Sequence, residues 1–160
     1  MVGVNTGGTD SGLNVPKLRA GKKLLMSHEV DLDNDPVYCA ITAKESDELL
    51  NEIQIISSDF NGADRPVLTD GKVTRFLGIN FIHCERLVTA AAGTDDQSGS
   101  STQIPMWAKS GMYLGIWEEI EKDISRRNDL QGIPWQAYLK MSVGATRLEE
   151  KKVVKIWCQV

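Results

Sequence analysis

The apolar and polar positions of this chain switch period several times, and each switch predicts an element. From Val15 to His28 (VPKLRAGKKLLMSH), Leu18, Leu25 and the Leu24/His28 pair fall on one side at helical spacing, and Pro16 sits in the first turn where a missing N–H is harmless, so the spacing predicts a helix. Its other surface carries Lys17, Arg19, Lys22 and Lys23 and reads as a solvated basic face. After the acidic turn of Asp31, Asp33 and Asp35, the run Pro36 to Ile41 has strand length. Thr42 and Glu45 then supply the T-x-x-E signature of a capping box, so the strand leads into a helix with Leu49, Leu50 and Ile53 as its buried stripe and Ser57 to Asp59 as its end. Asp70 and Gly71 suit a tight hairpin turn.

The second half of the chain reads as β. Val73 to Cys84 (VTRFLGINFIHC) is apolar enough for a strand buried on both sides, with Gly78 at a bulge or close backbone approach. Ile104 to Ile116 offers two short apolar runs about a turn at Lys109 to Gly111, a predicted hairpin. Trp117 to Asn128 fits two patterns: Trp117, Ile120 and Ile124 have helical spacing, while Ile116, Ile120 and Ile124 share one face of a strand. Alternation is clearest from Trp135 to Val143, where Trp135, Ala137, Leu139, Met141 and Val143 interleave with polar or smaller residues. A charged turn, Glu149 to Lys152, precedes a last alternating strand through Val154, Ile156 and Cys158. Two stretches are poor in large apolar residues: residues 1–14, expected to be a flexible lead-in, and residues 89–103, a loop long enough to be either functional or disordered.

Composition narrows the function classes. At 160 residues with 41% hydrophobic content the chain fits one compact unit. Eighteen Lys and Arg against twenty-two Asp and Glu leave a net charge of −4, so there is no broad positive field for gathering phosphates, which disfavours a dedicated nucleic-acid binder. Apolar runs stop far short of the ~20 residues of a membrane helix and no signal-peptide core opens the chain, which therefore reads as soluble and intracellular. Three cysteines, Cys39, Cys84 and Cys158, lie far apart with no CxxC pair, which fits reduced thiols, at least two of them buried.

Candidate chemistry is sparse. Asp31, Asp33 and Asp35 begin like a calcium loop, but Pro36 and Thr42 stand where that loop needs Gly and Glu. Gly8 to Gly12 (GTDSG) is similar to a serine-protease nucleophile segment, yet both histidines follow it and its flanks are not apolar strand. The Gly-rich opening has no Gly-Lys-Ser/Thr ending, so nothing supports a phosphate loop. His83, Cys84 and Glu85 bring an imidazole, a thiol and a carboxylate together, but adjacent strand residues point to opposite faces, which separates His83 from Cys84. No catalytic, cofactor-binding or metal-ligating residue is assigned.

The order of segments carries a family resemblance. LRAGKKLL to Val30, ITAKESDELLNE (Ile41 to Glu52), SSDFN (Ser57 to Asn61), DGKVTRFLGINFIHCERL (Asp70 to Leu87) and AYLKMSVGATRLEEKKVVKIWC (Ala137 to Cys158) together resemble the major capsid proteins of tailed bacteriophages. Phe76, Leu77 and Gly78 before an apolar strand ending in Glu85 to Leu87, and Gly144 to Arg147 before Glu149 to Val154, are the most telling pieces. The resemblance implies an α+β subunit of the Hong Kong 97-type phage capsid fold, an axial domain plus part of the peripheral domain, corresponding to the C-terminal half of a longer subunit. It divides the chain into a flexible segment 1–14, a peripheral-domain-like helix and turn 15–35, an axial-domain-like α+β region 36–132 with the mobile loop 89–103, and returning peripheral-domain-like strands 133–160. It favours strand over helix for Ile116 to Ser125. Family members are longer, and the part without counterpart here is the N-terminal arm, the extended loop and most of the spine helix.

The implied function is structural and non-enzymatic: copies of the chain assemble into an icosahedral shell around DNA, in a virion built in the bacterial cytoplasm. Its implied partners are neighbouring copies in a capsomer, scaffolding and portal proteins, and packaged DNA touched nonspecifically, with no cofactor and no membrane. Trp107, Trp117, Trp135 and Trp157 are candidate core or interface anchors. Two other classes remain open on the residues alone: a small thiol-dependent enzyme using Cys84 or Cys39, and an adaptor whose basic first helix, with Lys22 and Lys23, binds a protein partner.

Overall fold

The computed structural model describes residues 1–3, 6, 11–52, 55, 71–90 and 101–159. The chain divides into two compact units, one formed by residues 1–111 and 149–160 and the other by residues 112–148.

The first unit opens with α1 (Val15–Ser27), capped by Asn14, whose side chain accepts from the Lys17 N–H at 3.0 Å. Val15, Leu18 and Leu25 are buried as the helical spacing requires, and α1 packs on strand β8 (Val153–Gln159). Close approach depends on Gly21, where an added Cβ would sit 2.4 Å from Met106 Cε and 3.3 Å from Ile156 Cδ1. The basic face is solvated only in part. Lys17 is fully buried and its ammonium donates to the carbonyls of Trp157, at 3.0 Å, and Ser11. His28, expected on the apolar side, is exposed at the helix end.

Strand β1 (Val37–Ile41) leads into α2 (Ala43–Leu50), and the capping box forms as expected: the Glu45 carboxylate accepts from the Thr42 N–H at 3.1 Å and from its hydroxyl. Leu49 is buried and Leu50 half-buried; Ile53 and the expected helix end at Ser57 to Asp59 lie outside the described residues. Asp70 does too, so its turn with Gly71 is not described. A tight hairpin does occur slightly later, between β2 (Arg75–Phe76) and β3 (Ile79–His83), where Leu77 and Gly78 take φ of 52° and 77°. Gly78 therefore serves a two-residue turn of positive φ and not a bulge or close approach, since a Cβ there would meet only Lys22 Nζ at 3.6 Å. The expectation of a strand buried on both sides is also corrected, because only Ile79 is buried in β3 and Ile82 and His83 are exposed.

Among the described residues the sheet runs β2, β3, β1, then β5 (Ser101–Ala108), with β1 and β3 parallel and the other pairings antiparallel. One edge of β5 pairs with β1 and with the short β4 (Thr89–Ala90), and the other edge pairs with β8 along seven residues. This pairing replaces the hairpin expected from Ile104 to Ile116. Lys109–Gly111 is a 3-10 turn held to the acidic turn, with the Lys109 N–H on the Pro36 carbonyl and the Ser110 N–H on Asp35, and it leads the chain away from β5. Ile104, Met106 and Ala108 of β5 and Val154, Ile156 and Cys158 of β8 then bury the same core that receives Leu18, Leu25, Leu49 and Ile79.

Both stretches expected from composition to be flexible contain residues in strands, bridges or the core. Thr89, Ala90 and residues 101–103 are strand residues, leaving only 91–100 outside the described part of that stretch. In the lead-in, Val2 bridges to Ile156 in parallel and Leu13 is buried, its N–H donated to Glu48 at 2.6 Å. A few well-placed apolar residues supply core contacts that average composition conceals.

Candidate assembly surface

The second unit is a two-stranded antiparallel hairpin of β6 (Met112–Arg126) and β7 (Trp135–Arg147). Trp117 to Asn128 is thus a strand up to Arg126, the alternative that the capsid resemblance favoured, and the alternating run from Trp135 is a strand as predicted. The two compact units part at the base of this hairpin, because β7 pairs with β6 while β8 pairs with β5.

Register fixes which side chains share a face. Leu114 pairs with Ala145, Ile116 with Val143, Ile124 with Ala137 and Arg126 with Trp135, so these residues line one face together with Leu139, which pairs with Lys122, and with Met141. The opposite face carries Tyr113, Glu118, Glu121, Asp123 and Ser125 against Thr146, Ser142, Lys140, Tyr138 and Gln136. Two irregularities, between Ile116 and Glu118 and between Glu118 and Glu121, offset each other: the first extra residue inverts the faces and the second restores them, so Ile116 and Ile124 end on one side.

Side chains of the apolar face are exposed. Ile124, Trp135 and Leu139 are 69%, 65% and 68% exposed, and Leu114, Ile116, Met141 and Val143 are exposed as well. A lone two-stranded ribbon is marginal in water, and seven large apolar side chains, each worth about 1.5–3 kcal/mol when fully buried, together represent more than ~10 kcal/mol of unrealised burial. Such a patch marks an interaction surface. Local bonds brace the ribbon itself: Lys140 reaches Glu118 at 2.8 Å, Arg126 lies 4.6 Å from the Trp135 ring centroid, and Arg127 pairs with Asp129 at the tip. On the polar face Gly115 opposes Gly144, leaving a shallow depression also lined by Tyr113 and Trp117.

The family model for phage capsid protein matches residues 1–160. The chain belongs to the phage capsid protein family. A solved structure described as Mycobacterium phage Che8 is similar to this capsid chain at TM-score 0.63 and 16% identity, over 86% of this chain and 46% of that one. The capsid structure of the cyanophage P-SCSP1u is similar at TM-score 0.66 and 13% identity, over 88% and 44%. The fold is therefore the α+β capsid fold anticipated from sequence, and the chain spans less than half the length of these two structures. Comparison with curated proteins finds no match.

Against this identity, the structure disperses the groups singled out for chemistry. The Asp31 carboxylate accepts from the Asp33 N–H and from the Asn34 backbone and side chain, bonds that hold it below the usual carboxylate range, with the Asn34 side chain the largest cause. Asp35 accepts from the N–H and hydroxyl of Ser110. His83 Nε2 stands 2.6 Å from Glu85, which also accepts the Ala43 N–H at 2.7 Å; that backbone bond, and then His83, lower the Glu85 pKa. The imidazole thus faces a carboxylate and not Cys84. Cys39 and Cys158 are buried, and desolvation raises both thiols, Cys158 to about 12, which suppresses the nucleophilic thiolate.

The four tryptophans separate. Trp157 is core, Trp107 is half-buried and stacked on Tyr38 with centroids 6.1 Å apart, and Trp117 and Trp135 are exposed on the hairpin, Trp117 at 93%. Sequence reading missed the burial of Lys17. Its signal was present, since Lys17, Gly21 and Leu25 recur every four residues along the stripe that faces the sheet.

Proposed function

We propose that this chain is a structural, non-enzymatic part of a phage or prophage major capsid protein whose copies self-assemble into an icosahedral shell around DNA. The observation that carries this reading is the capsid family match along all 160 residues. The exposed apolar side chains of the hairpin support it, because a subunit that completes its burial only on association has such a surface when alone. Neighbouring copies are its main partners, with scaffolding and portal proteins during assembly in the host cytoplasm, and a net charge of −4 fits contact with packaged DNA that is nonspecific. The thiol-enzyme and adaptor readings gain nothing from the geometry: His83 is engaged by Glu85, and Lys17 of the basic helix is inside the core.

The test is analytical ultracentrifugation of the purified chain across a wide concentration range, with negative-stain electron microscopy of the heavy fractions. Oligomers of capsomer size or larger are the expected result. A chain that stays monomeric at every concentration counts against the reading.

A further inference from the structure

We infer that the outer face of α1 is where this chain touches nucleic acid, with Arg19 and Lys23 taking phosphates of a DNA backbone and reading no bases. This rests on the proposed role around DNA and adds the surface that makes the contact. Charge placement is the first reason. The helix holds four cations and no acid in a chain of net charge −4, so its positive charge is a local feature. Of the four, Lys17 is buried, and Lys22 donates to the Leu77 carbonyl at 2.9 Å, which ties the helix to the β2–β3 turn. Arg19 and Lys23 are both exposed and have no hydrogen-bond or ion-pair partner among the described residues. Four residues apart, they share one helix face about 6 Å apart along the axis, so the two long side chains reach adjoining phosphates.

The surroundings are the second reason. Arg19, Lys22, Lys23, Met26 and Ser27 form a shallow groove with Leu77 of the turn. Its apolar part is Met26 and Leu77 alone, far less than the ~800 Å² per partner of a standard protein interface, which disfavours an acidic protein segment as the occupant. Phosphate contact needs only accessible cations. No aromatic side chain lines the groove for a base to stack on, so the contact is with the backbone and independent of sequence. Lys72 and Arg75, on the segment that enters the same turn, are exposed as well, and residues 11–28 contain no acid to compete for the cations.

The experiment titrates a labelled mixed-sequence DNA duplex with the whole chain at rising salt and follows fluorescence anisotropy. Arg19→Glu combined with Lys23→Glu is compared with a charge-matched control, Lys109→Glu combined with Lys151→Glu, exposed positions on the two 3-10 turns. The unaltered chain is expected to bind more weakly as salt rises, with the control within about threefold of it and the α1 pair weaker by about tenfold or more at low salt. The salt slope of the α1 pair should fall by about two, one for each phosphate contact removed. Circular dichroism should match throughout, because the substituted positions are exposed. Equal weakening by both pairs means that only overall charge acts and overturns the inference, as does full binding by the α1 pair. Binding of labelled poly-glutamate through Arg19 and Lys23 without binding of the duplex also overturns it, in favour of an acidic protein. Sedimentation of the same samples separates the two readings: a chain that associates but does not bind the duplex overturns this inference alone, and one that binds the duplex but never associates removes the self-assembly reading while supporting the α1 contact.

Discussion

At the scale of single residues, Lys17 shows how context reverses a surface assignment. A lysine in a run of four cations looks solvated, yet its ammonium is inside the fold and joins residue 11 to residue 157. Lys17→Ala leaves two carbonyls without their charged donor and opens a cavity, so urea unfolding should show a loss of about 2–4 kcal/mol, against a change within about 0.5 kcal/mol for the exposed Lys23→Ala. The cysteines make a second case. Titration with a thiol reagent should find Cys84 accessible in the folded chain and Cys39 and Cys158 only on unfolding. Because burial lifts Cys158 from 9.0 to about 12, the folded form favours the neutral thiol. Its contribution to stability is complete below pH 9 and is lost as pH rises above it, which a pH series of thermal melts would detect. Glu85 acts in the opposite sense: its pKa is lowered, so its bonds to Ala43 and His83 help above its ordinary value of 4.5 and fade as acid protonates it.

Among elements, turn chemistry decided where hairpins form. Leu77 and Gly78 at positive φ close the β2–β3 hairpin, and Gly78→Val should cost about 1 kcal/mol or more in chemical denaturation, since a β-branched residue resists that conformation. At the hairpin tip Ile133 holds φ of 43°, unusual for a β-branched side chain. Ile133→Gly should therefore raise stability, by about 1 kcal/mol, unless tip contacts in an assembly depend on the isoleucine; melting the isolated chain and its oligomer separately tells these apart. The capping box at Thr42 was legible because it is a local device of four residues. Partner choice for β5 was not legible. Nothing in Ile104 to Ile116 says that the next strand along will leave and that β8, some fifty residues later, will take the edge.

For the whole molecule, the uneven distribution of buried surface makes a dynamic prediction. Residues of β5 and β8 lie in the core, whereas most of β6 and β7 is exposed. Amide hydrogen exchange of the monomer should be slowest in 101–108 and 153–159 and fast across 112–147, and association should protect the latter selectively. Equal protection of both regions in a verified monomer would mean that the ribbon face is already covered within one chain.

By itself the sequence determined most elements and the family. Helix periodicity, the capping box and the period-two run from Trp135 are short-range signals, and the order of segments from Leu18 to Cys158 carried the capsid resemblance without any catalytic motif. Tertiary structure alone decided which strands pair, that Lys17 and Val2 belong to the inside, and that an amphipathic ribbon has its apolar face in water. The physical reason is that alternation states only that one face of a strand is apolar. What covers that face is settled by long-range contacts, and for this hairpin by surface that its own unit does not provide.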